Sequence, residues 1–358
     1  MGTGTRRVLV AMSGGVDSSV AAALLRDAGH EVTGVFLCMG RAGDPAADSR
    51  GCCSPQDAAD ARRVAGRLGI DLYVLDAAAE FERIIDGFAA EYAAGRTPNP
   101  CVRCNRDVKL ARLLRHADAL GFDAVATGHY ARVVERDGAP AIARAAALGK
   151  DQSYVLFALP REALGRLVLP LGELPGKVQT REIARRLGLP VHDKPDSMEI
   201  CFVEDGDHAR VLAERAPHAL TSGPIVDGQG RVLGRHEGYG RYTVGQRRGL
   251  GVASTGRLYV TAIDPATATV RVGPREETVA AAITVRDATW HRDVPDSFEA
   301  TVQIRSMPGG ARAALHRVGI DRFEVAFHER VHAAAPGQAA VVYADDVVLG
   351  GGSIESAR

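Results

Sequence analysis

A short glycine-rich stretch near the amino terminus constrains the fold of this chain more than any other segment. The stretch Ser13-Gly14-Gly15-Val16-Asp17-Ser18 follows an apolar run over residues 8–12 that is typical of a buried strand. Residues 19–26, rich in alanine and leucine, then predict a helix that ends near Gly29. The first amides of such a helix lack intrahelical partners and lie at the positive end of its dipole. Because Gly14 and Gly15 have no Cβ, a phosphate group could approach this turn closely.

Strands and helices alternate through the first half of the chain. Further strands are predicted over residues 32–37, 71–75 and 124–127, and helices over residues 55–68, 80–94, 106–120 and 179–187. This alternation predicts an α/β domain with a doubly wound parallel sheet, which binds ligands at the carboxyl ends of its strands. Leu37 and the segment Thr127-Gly128-His129 each end a predicted strand. We therefore expect both to face the same crevice as the glycine-rich turn.

The character of the sequence changes after residue 219. Eleven glycines lie between Gly223 and Gly273, and short apolar runs occupy residues 259–263, 300–304, 323–327 and 339–343. Short strands separated by turn residues predict an all-β region. With a seam at Trp290 and Pro295, we expect three parts. They are a catalytic α/β domain over residues 1–218, a small β domain over 219–289 and a C-terminal β-barrel over 290–358.

The overall charge of the chain gives no sign of a particular partner. The 358 residues include 44 basic and 44 acidic side chains, so binding of nucleic acid would depend on local patches. No apolar run approaches the length of a membrane span, and residues 1–7 lack the apolar core of a secretory signal. We therefore expect a cytoplasmic protein with no membrane partner. In that compartment the six cysteines should be thiols, metal ligands or catalysts.

Two of the cysteines form a Cys-x-x-Cys pair. Cys101 and Cys104 precede a predicted helix, for which Asn105 is the expected cap. The pair is compatible with half of a zinc site, a redox couple or two ligands of an iron–sulfur cluster. Because Arg103 and Arg106 flank Cys104 near a helix start, we expect the thiolate form to be favoured.

The other four cysteines carry weaker signals. Cys201 lies between Ile200 and Phe202, and these neighbours alone favour a buried, inert thiol. No role is assigned to Cys38, Cys52 or Cys53.

The glycine-rich turn also matches a known motif. No lysine stands where the ATPase motif Gly-x-x-x-x-Gly-Lys-Ser/Thr requires one, which excludes that motif. Residues 13–18 instead resemble the PP-loop of ATP pyrophosphatases, which cleave ATP between the α and β phosphates and adenylate a substrate. The resemblance implies an adenine nucleotide α-hydrolase-like domain that binds ATP with Mg²⁺. Asp17 is the nearest candidate to position the metal, and a carboxylate favoured by the helix dipole is the alternative.

Further motifs in chain order make the resemblance more specific. They are Asn-Pro-Cys-Val-Arg-Cys-Asn at 99–105, Thr-Gly-His-Tyr at 127–130, Lys-Asp-Gln-Ser-Tyr at 150–154, Cys-Phe-Val at 201–203, Gly-Gln-Arg-Arg-Gly-Leu at 245–250 and Pro-Gly-Gln at 336–338. Together they resemble the bacterial tRNA-specific 2-thiouridylases over nearly the whole chain. The resemblance implies adenylation of the C2 oxygen of the wobble uridine in glutamate, lysine and glutamine tRNAs. Sulfur then replaces that oxygen, which yields 2-thiouridine, AMP and pyrophosphate.

The same resemblance implies roles for individual residues. Cys104 matches the nucleophile of the family and Cys201 its persulfide-carrying cysteine. The implied ATP-binding residues are Ala11, Met12, Ser13, Gly14, Gly15, Val16, Asp17, Ser18, Leu37 and Gly128. The implied contacts with the target base are Asn99, Pro100 and Cys101, and those with other parts of the tRNA are His129, Lys150, Asp151, Gln152, Arg305, Ser306 and Gln338.

One position departs from the commonest family pattern, because Cys101 stands where many members have aspartate. Two schemes of sulfur transfer are therefore open. In the first, a persulfide on Cys201 attacks the adenylated carbon, and a disulfide with Cys104 then forms. In the second, Cys101, Cys104 and Cys201 hold a [4Fe-4S] cluster whose open iron carries hydrosulfide to the base. Three soft thiolates suit such a cluster, so the sequence favours the second scheme.

Basic residues gather in two segments that could contact tRNA phosphates. Residues 238–263 contain four arginines and no acidic residue, and Arg247 and Arg248 are adjacent within them. Around the predicted helix at 106–120, Asp107 alone opposes the basic side chains Arg103, Arg106, Lys109, Arg112 and Arg115. We expect these patches to bind the anticodon stem-loop with a steep salt dependence, and an ordinary solvated face is the alternative. A sulfur donor, such as a cysteine desulfurase or a sulfur-relay protein, is the other expected partner.

Two further functions remain compatible with these residues. A PP-loop ligase or sulfurtransferase that acts on a different acceptor would use the same nucleotide motif, and as a ligase it would not need Cys104. A non-enzymatic RNA-binding protein could hold a structural zinc ion through Cys101, Cys104 and another thiol. That protein would consume no ATP and would unfold on chelation.

Overall fold

The chain forms two compact units, and each unit is built from segments that are not consecutive in sequence. A computed structural model describes residues 4–40, 54–196, 200–203, 206–254, 256–307 and 309–358. The chain divides into one unit made of Met1–Arg83, Cys101–Glu204 and Asp346–Val348, and a second made of Ile84–Pro100, Asp205–Asp345 and Leu349–Arg358. The three-part division expected from sequence remains a prediction. Cys52 and Cys53 lie outside the described residues.

A parallel sheet forms the centre of the first unit. The strands of this unit are β1 (Arg7–Ala11), β2 (Glu31–Cys38), β3 (Leu72–Asp76), β4 (Ala124–Ala126), β5 (Ala131–Arg136), β6 (Ala139–Arg144) and β7 (Leu167–Val168). Five of them pair in parallel in the order β3-β2-β1-β4-β7. The chain winds outward from β1 to β3 and returns on the other side of β1, so the order reverses between β1 and β4. The predicted parallel α/β fold is confirmed.

The helices of this part of the chain carry clear local signals. They are α1 (Val16–Asp27), α2 (Pro55–Leu68), α3 (Ala78–Ala93), α4 (Pro100–Arg103), α5 (Ala111–Leu120) and α6 (Lys177–Arg186). Ser54 and Asp57 form a capping box at the start of α2, and Gly69 ends that helix in the left-handed conformation. Among the described residues, no helix combines the length and the apolarity needed to cross a membrane.

The helical region around the Cys-x-x-Cys pair differs from the prediction. Residues Cys104–Leu110 form a π-helix that continues α4 directly into α5. Helical structure therefore begins at Pro100, and Asn105 lies inside it. The prediction of Asn105 as a helix cap is wrong, because its side-chain nitrogen instead donates to the carbonyl oxygen of Val155 at 3.2 Å. A π-turn changes the direction of the side chains that follow it, and such turns are frequent at functional sites.

A β-hairpin next to the parallel sheet was not predicted from the sequence. Strands β5 and β6 pair in antiparallel register through a turn at Asp137 and Gly138, both of which have positive φ angles, 53° and 74°. Asp-Gly between two short strands is a strong hairpin signal. Val347 pairs with Ala143 at the outer side of this hairpin.

The second unit is rich in antiparallel strands. It contains the helix α7 (Ala209–Arg215) and the strands β8 (Gly223–Val226), β9 (Val232–His236), β10 (Tyr259–Asp264) and β11 (Thr269–Gly273). These strands form a sheet in the order β10-β11-β8-β9. The six strands that follow are β12 (Val279–Trp290), β13 (Ser297–Gln303), β14 (Ala311–Arg317), β15 (Phe323–His332), β16 (Ala339–Ala344) and β17 (Val347–Ala357).

The last six strands close into a barrel. Their order is β12-β15-β14-β13-β16-β17, and β17 pairs again with β12. Closure is close enough that a Cβ on Gly350 would lie 2.3 Å from the carbonyl oxygen of Thr289. Val285, Phe323 and Ile354 are among the buried side chains that fill the interior. The predicted C-terminal barrel is confirmed, and strand pairing places residues 279–290 in it.

Residues 84–100 pack with the β unit although they precede it by more than a hundred positions. The Glu91 carboxylate accepts hydrogen bonds from Arg96 at 2.6 and 2.8 Å and from Arg286 at 3.3 and 3.4 Å. The Tyr239 hydroxyl donates to the carbonyl oxygen of Ala93 at 2.9 Å. These bonds hold the segment that leads into the Asn-Pro-Cys motif.

Candidate functional site

The glycine-rich turn lies where the order of the parallel sheet reverses. Gly14 has a φ angle of 73°, and Gly15 caps α1 in an extended conformation. The Ser18 hydroxyl accepts from the amide of Ser13 at 3.1 Å and donates to the carbonyl oxygen of Gly15 at 3.2 Å, which ties the turn to the helix. The turn amides therefore meet the positive end of α1, and this geometry suits phosphate oxygens.

Two glycines around this turn are required by close packing. A Cβ on Gly14 would lie 2.3 Å from the carbonyl oxygen of Asp57, and a Cβ on Gly128 would lie 2.6 Å from the amide nitrogen of Ser18. Gly128 thus brings the chain after β4 against the first turn of α1. Leu37, near the end of β2, is buried at 7% exposure. The ATP-binding roles of these residues remain predictions.

Lys194 fastens the turn to the start of α2. Its ammonium group donates to the carbonyl oxygen of Gly14 at 3.0 Å, to Asp57 at 2.6 Å and to Asp60 at 2.6 Å. Although burial favours the neutral amine, the bonds to the two carboxylates raise the pKa of Lys194. Burial likewise opposes ionisation of Asp60, yet its bonds to Lys194 and Arg63 lower the pKa of that carboxyl. Lys194 and Asp60 are therefore both charged at neutral pH.

A second ion network begins at Asp17. The ammonium group of Lys177 donates to both oxygens of Asp17, at 2.9 and 2.7 Å, and lies 2.8 Å from Asp196. The Tyr130 hydroxyl also donates to Asp17, at 3.0 Å. Arg181 contacts Asp196 as well, at 2.9 Å. Asp17 is therefore held by a cation and a hydroxyl, which gives its carboxylate a structural role beyond that of a residue at a helix start.

Neither lysine of these two networks is among the residues predicted from the sequence to form the site. Lys177 begins α6, and Lys194 lies in the loop after that helix, far along the chain from the turn they support. The pair Lys194 and Asp196, two charged residues around Pro195 shortly before Cys201, was a local signal that could have been used. Nothing in the sequence gives their partners, because these depend on the tertiary fold.

The segment 150–152, expected to touch tRNA, is mostly engaged within the chain. The Asp151 side chain is 2% exposed; it accepts from the Arg144 guanidinium at 3.0 Å and from the Ser153 hydroxyl at 2.8 Å. The Gln152 side-chain oxygen accepts from the amide of Tyr130 at 2.9 Å. The Lys150 side chain is 46% exposed, and its ammonium group lies 3.3 Å from the Asp196 carboxylate. Within this segment, the geometry favours Lys150 for the predicted tRNA contact.

His129 is held as a neutral ring beside the turn. Its Nδ1 lies 2.7 Å from the Thr127 hydroxyl. Burial of the ring, with a smaller contribution from the charge of Lys109, lowers the pKa of His129 to about 3. At neutral pH the imidazole can therefore accept or donate a hydrogen bond to RNA, but it adds no positive charge.

The cysteines of the Cys-x-x-Cys pair differ in exposure. Cys101 lies exposed in the first turn of the helical segment, whereas Cys104 begins the π-helix and is 6% exposed. Asn105, next to Cys104, is 2% exposed, and its Oδ1 has no hydrogen-bond partner within the part of the chain that the structure describes. An unsatisfied buried oxygen beside a thiol is costly and is typical of a site that receives a further group.

Cys201 and the Cys104 helix are both tied to the first turn of α3. Phe202, which follows Cys201, packs edge-on against Phe81 with a ring-centroid distance of 5.7 Å. The neighbouring Glu80 pairs with Arg112, at 2.8 Å, on the helix that continues from Cys104. The helix that follows Cys104 and the residue that follows Cys201 thus contact the same short segment, and the catalytic roles of the two cysteines remain predictions.

Among the described residues, the three cysteines of the predicted cluster site differ in their surroundings. Within the described ranges, no group of three or more histidine, cysteine, aspartate or glutamate side chains is arranged to hold a metal ion. Cys101, Cys104 and Cys201 all belong to those ranges and differ in burial, from exposed to buried. The [4Fe-4S] ligand set and the zinc site considered on the same thiols therefore remain predictions.

The basic helix is more neutralised than the sequence indicated. Arg112 and Arg115 lie 2.8 and 3.6 Å from Glu80, which belongs to α3. Arg106 pairs with Asp107 at 2.6 Å. The expectation that Asp107 alone opposes these cations is wrong, because Glu80 comes from a distant part of the sequence.

A loop of the second unit exposes two of the predicted tRNA-binding arginines. Arg247 and Arg248 are exposed, and no ion pair involves them among the residues that the structure describes. Gln246 shapes the loop, since its side chain accepts from the amide of Thr243 at 3.0 Å and donates to the carbonyl oxygen of Arg248 at 2.9 Å. A structured, unneutralised pair of arginines is well suited to phosphate contact.

The loop that carries Arg305 and Ser306 is exposed and internally braced. The side chain of Gln303, 1% exposed, donates to the carbonyl oxygens of Arg305 at 2.9 Å and Met307 at 3.2 Å. Arg305 itself donates to the carbonyl oxygen of His332 at 2.6 Å. The tRNA contacts expected of Arg305 and Ser306 remain predictions.

Comparison with known protein families agrees with this architecture. The chain matches the tRNA methyl transferase HUP domain over residues 6–205, the tRNA methyl transferase PRC-barrel domain over 209–274 and the aminomethyltransferase beta-barrel domain over 280–354. The parallel sheet, the phosphate-binding turn at its reversal point and the first of these matches define a PP-loop nucleotide-binding protein with two appended β domains.

Full-length relatives narrow this class further. The tRNA-specific 2-thiouridylase MnmA of Carboxydothermus hydrogenoformans is 48% identical over 98% of this chain and 98% of its own length. The protein of the same name from Syntrophotalea carbinolica is 49% identical, again over 98% of both chains. The chain belongs to the tRNA-specific 2-thiouridylase family, whose members are tRNA sulfurtransferases. A solved NMN synthetase from Francisella tularensis covers 54% of this chain and 66% of its own at 19% identity, with a TM-score of 0.32.

Proposed function

We propose that this protein catalyses the ATP-dependent 2-thiolation of the wobble uridine in glutamate, lysine and glutamine tRNAs. One observation carries the proposal. A phosphate-binding turn and the two cysteines Cys104 and Cys201 belong to the same unit of a chain from the 2-thiouridylase family. Neither a ligase with another acceptor nor a zinc-stabilised RNA-binding protein requires that combination.

The first chemical step activates a poor leaving group. The uridine C2 oxygen attacks the α-phosphate of ATP, which forms an adenylated base and releases pyrophosphate. The amides of the turn and the start of α1 would stabilise the departing negative charge. Mg²⁺ commonly binds through one or two carboxylates together with substrate phosphates, and the expected ion would neutralise phosphate charge. Asp17 would bind it only in exchange for its hydrogen bonds to Lys177.

The second step transfers sulfur through the two cysteines. A persulfide on Cys201, loaded by a sulfur donor such as a cysteine desulfurase or a sulfur-relay protein, attacks C2 with its terminal sulfur and displaces AMP. The Cys104 thiolate then attacks the Cys201 sulfur of the resulting mixed disulfide. The base leaves with its new sulfur, and a disulfide between Cys104 and Cys201 remains. A thiol reductant must reduce this disulfide before the next turnover.

Two observations support this scheme over the cluster scheme. Arg112, eight residues after Cys104, and Phe202, next to Cys201, contact Glu80 and Phe81 in the first turn of α3. The described residues form no group that could hold a metal ion.

Substrate binding is assigned to exposed cations and to an accessible base. Arg247, Arg248 and Lys150 would contact phosphates of the anticodon stem-loop, which makes binding sensitive to salt. A loop nucleotide costs little to unstack, so the wobble base can be extruded toward Asn99 and Cys101.

A direct test measures the modified nucleoside. Unmodified glutamate tRNA is incubated with the protein, ATP, Mg²⁺ and a persulfide donor, and the wobble nucleosides are analysed by mass spectrometry. We expect 2-thiouridine and one AMP for each base modified, and no product from Cys104→Ser. Formation of AMP with no sulfur in the tRNA, or full activity of Cys104→Ser on another acceptor, would identify a different PP-loop enzyme.

A separate comparison decides between the two sulfur schemes. The protein is prepared without iron and also after anaerobic reconstitution with iron and sulfide, and both samples are assayed with a persulfide donor and a reductant. We expect multiple turnovers in the iron-free sample. Turnover that occurs only with about four irons bound per chain would restore the cluster scheme.

A further inference from the structure

The residues just before the Asn-Pro-Cys motif are clamped by the β unit. The Thr97 amide donates to the carbonyl oxygen of Pro336 at 2.8 Å. The Gln338 side-chain nitrogen donates to the carbonyl oxygen of Thr97 at 2.8 Å and reaches that of Pro98 at 3.5 Å. The Thr97 hydroxyl also lies 3.2 Å from that of Thr243. Both backbone groups of Thr97 and its side chain are thus engaged.

Gly337 allows this close approach. Its φ angle is 91°, and a Cβ there would lie 2.9 Å from both the nitrogen and the oxygen of Thr97. The loop is itself fixed on β17, since the Gly337 amide donates to Ile354 and the Ile354 amide donates to Gln338, each at 2.8 Å. The clamp therefore consists of a braced loop pressed against the backbone of Thr97.

The geometry of Gln338 conflicts with a simple tRNA contact. A side-chain amide has two N–H donors on one nitrogen, and here that nitrogen faces two backbone carbonyl oxygens. A phosphate oxygen needs a donor, and the donors of Gln338 point at Thr97 and Pro98. The expectation from family resemblance that Gln338 contacts tRNA therefore gains no support from its hydrogen bonds.

We propose that Gln338 and Gly337 are positioning residues. By holding Thr97, they keep Asn99 and Pro100, two of the predicted contacts with the target base, in the productive conformation. Only Pro98 separates Thr97 from Asn99, so the clamp sets where Asn99 meets the extruded base. This inference rests on the proposed function, because it assigns the clamp to the base that is thiolated. Displacement of a reacting group by about 1 Å is enough to reduce a rate about 100-fold.

The test compares rate and affinity in two independent variants. Gln338→Leu removes both donors and keeps nearly the same volume. Gly337→Ala pushes on the Thr97 backbone and cannot remove a side-chain contact with RNA, since glycine has none. For both variants we expect kcat for thiolation at saturating tRNA to fall about 10- to 100-fold. The Kd for tRNA, measured by filter binding at fixed salt, should stay within about twofold of wild type.

Controls separate positioning from general damage. Gly319→Ala places a methyl group where no atom lies within 4 Å, so its kcat and Kd should match those of wild type. Trp290 packs against Phe298 and Phe323 inside the barrel, and its fluorescence reports whether the β unit unfolds at the same temperature in every variant. A purely structural defect would shift that transition, whereas loss of positioning leaves it in place and lowers kcat.

Each result leads to a distinct conclusion. If wild type forms no 2-thiouridine, the proposed function is wrong. If wild type is active and Gln338→Leu weakens tRNA binding with kcat unchanged, Gln338 contacts tRNA and the inference is wrong. Unchanged kcat in both Gln338→Leu and Gly337→Ala would also overturn it.

Discussion

The Lys194 clamp on the phosphate-binding turn offers the sharpest test of the site geometry. Replacement of Lys194 by methionine keeps much of the side-chain volume and removes the charge. It leaves Asp57 and Asp60, whose side chains are 13% and 7% exposed, close together without their shared cation. Loss of one partner of a buried ion pair costs about 3–5 kcal/mol. Because Lys194 is itself 28% exposed and partly screened by water, we expect about 2–3 kcal/mol.

The loss of stability in Lys194→Met should be confined to the first unit and can be measured by calorimetry. For a unit of this size, we expect about 2–4 °C per kcal/mol, hence a decrease of roughly 5–10 °C in the calorimetric transition of the first unit. The transition reported by Trp290, the single tryptophan, belongs to the barrel and should not move. Because Lys194 also holds the carbonyl oxygen of Gly14, the affinity for ATP should fall in parallel.

The destabilisation caused by Lys194→Met should depend on pH. In wild type, although burial opposes ionisation, Lys194 helps to lower the pKa of Asp60 below the ordinary value of 3.8. That contribution to stability is complete above the unfolded pKa and is lost as the pH falls through the folded pKa. In Lys194→Met the two carboxylates repel each other, and protonation relieves the repulsion. The difference in stability between wild type and Lys194→Met should therefore become smaller below about pH 4. At pH 7, adding Asp60→Asn to Lys194→Met should restore part of the lost stability. A difference that stays constant from pH 7 to the acid limit, or a shift below about 1 °C, would refute the reasoning.

Three further predictions concern other parts of the site. Cys201→Ser should abolish 2-thiouridine formation and leave ATP affinity unchanged, whereas Cys38→Ser should retain activity; thiolation by Cys201→Ser would contradict its role. Charge reversal of Arg247 and Arg248 together should reduce the slope of log K against log salt for tRNA binding by about 1.5–2, and an unchanged slope would remove both from the phosphate contacts. Gly128→Ala should destabilise the first unit by about 1–3 kcal/mol through overpacking against α1, and should weaken ATP binding in an equilibrium titration; wild-type stability and affinity would show that this packing is not needed.

Much of the fold follows from local patterns in the sequence. The strands before and after the glycine-rich turn and the helix over residues 55–68 were predicted to within a few residues, because apolar periodicity and capping residues act locally. The reversal of the sheet beside β1 follows from the βα alternation. The C-terminal barrel was predicted from short apolar runs alone, although its closure through β12 and β17 could not be.

The parts that sequence analysis missed depend on long-range contacts or on subtle helix geometry. No local sequence pattern indicates the π-helix that begins at Cys104, whereas the sequence predicts a helix from residue 106 with Asn105 as its cap. The partners of Lys194 lie more than a hundred residues away. The pairing of Glu80 with Arg112 likewise joins two separate helices. Resemblance supplied candidate residues, but it could not distinguish Asp151, an internal hydrogen-bond acceptor, from the exposed Lys150.

The interleaving of the two units bears on how the protein can be dissected. A truncated chain that stops near residue 205 would retain the nucleotide turn, Cys104 and Cys201. In that fragment, residues 84–100 would lose their contacts with Arg286, Tyr239 and the loop at Gly337. The Glu91 carboxylate and the Thr97 backbone would then be exposed. We expect such a fragment to be poorly soluble, so the α/β part and the β-rich part should be expressed together.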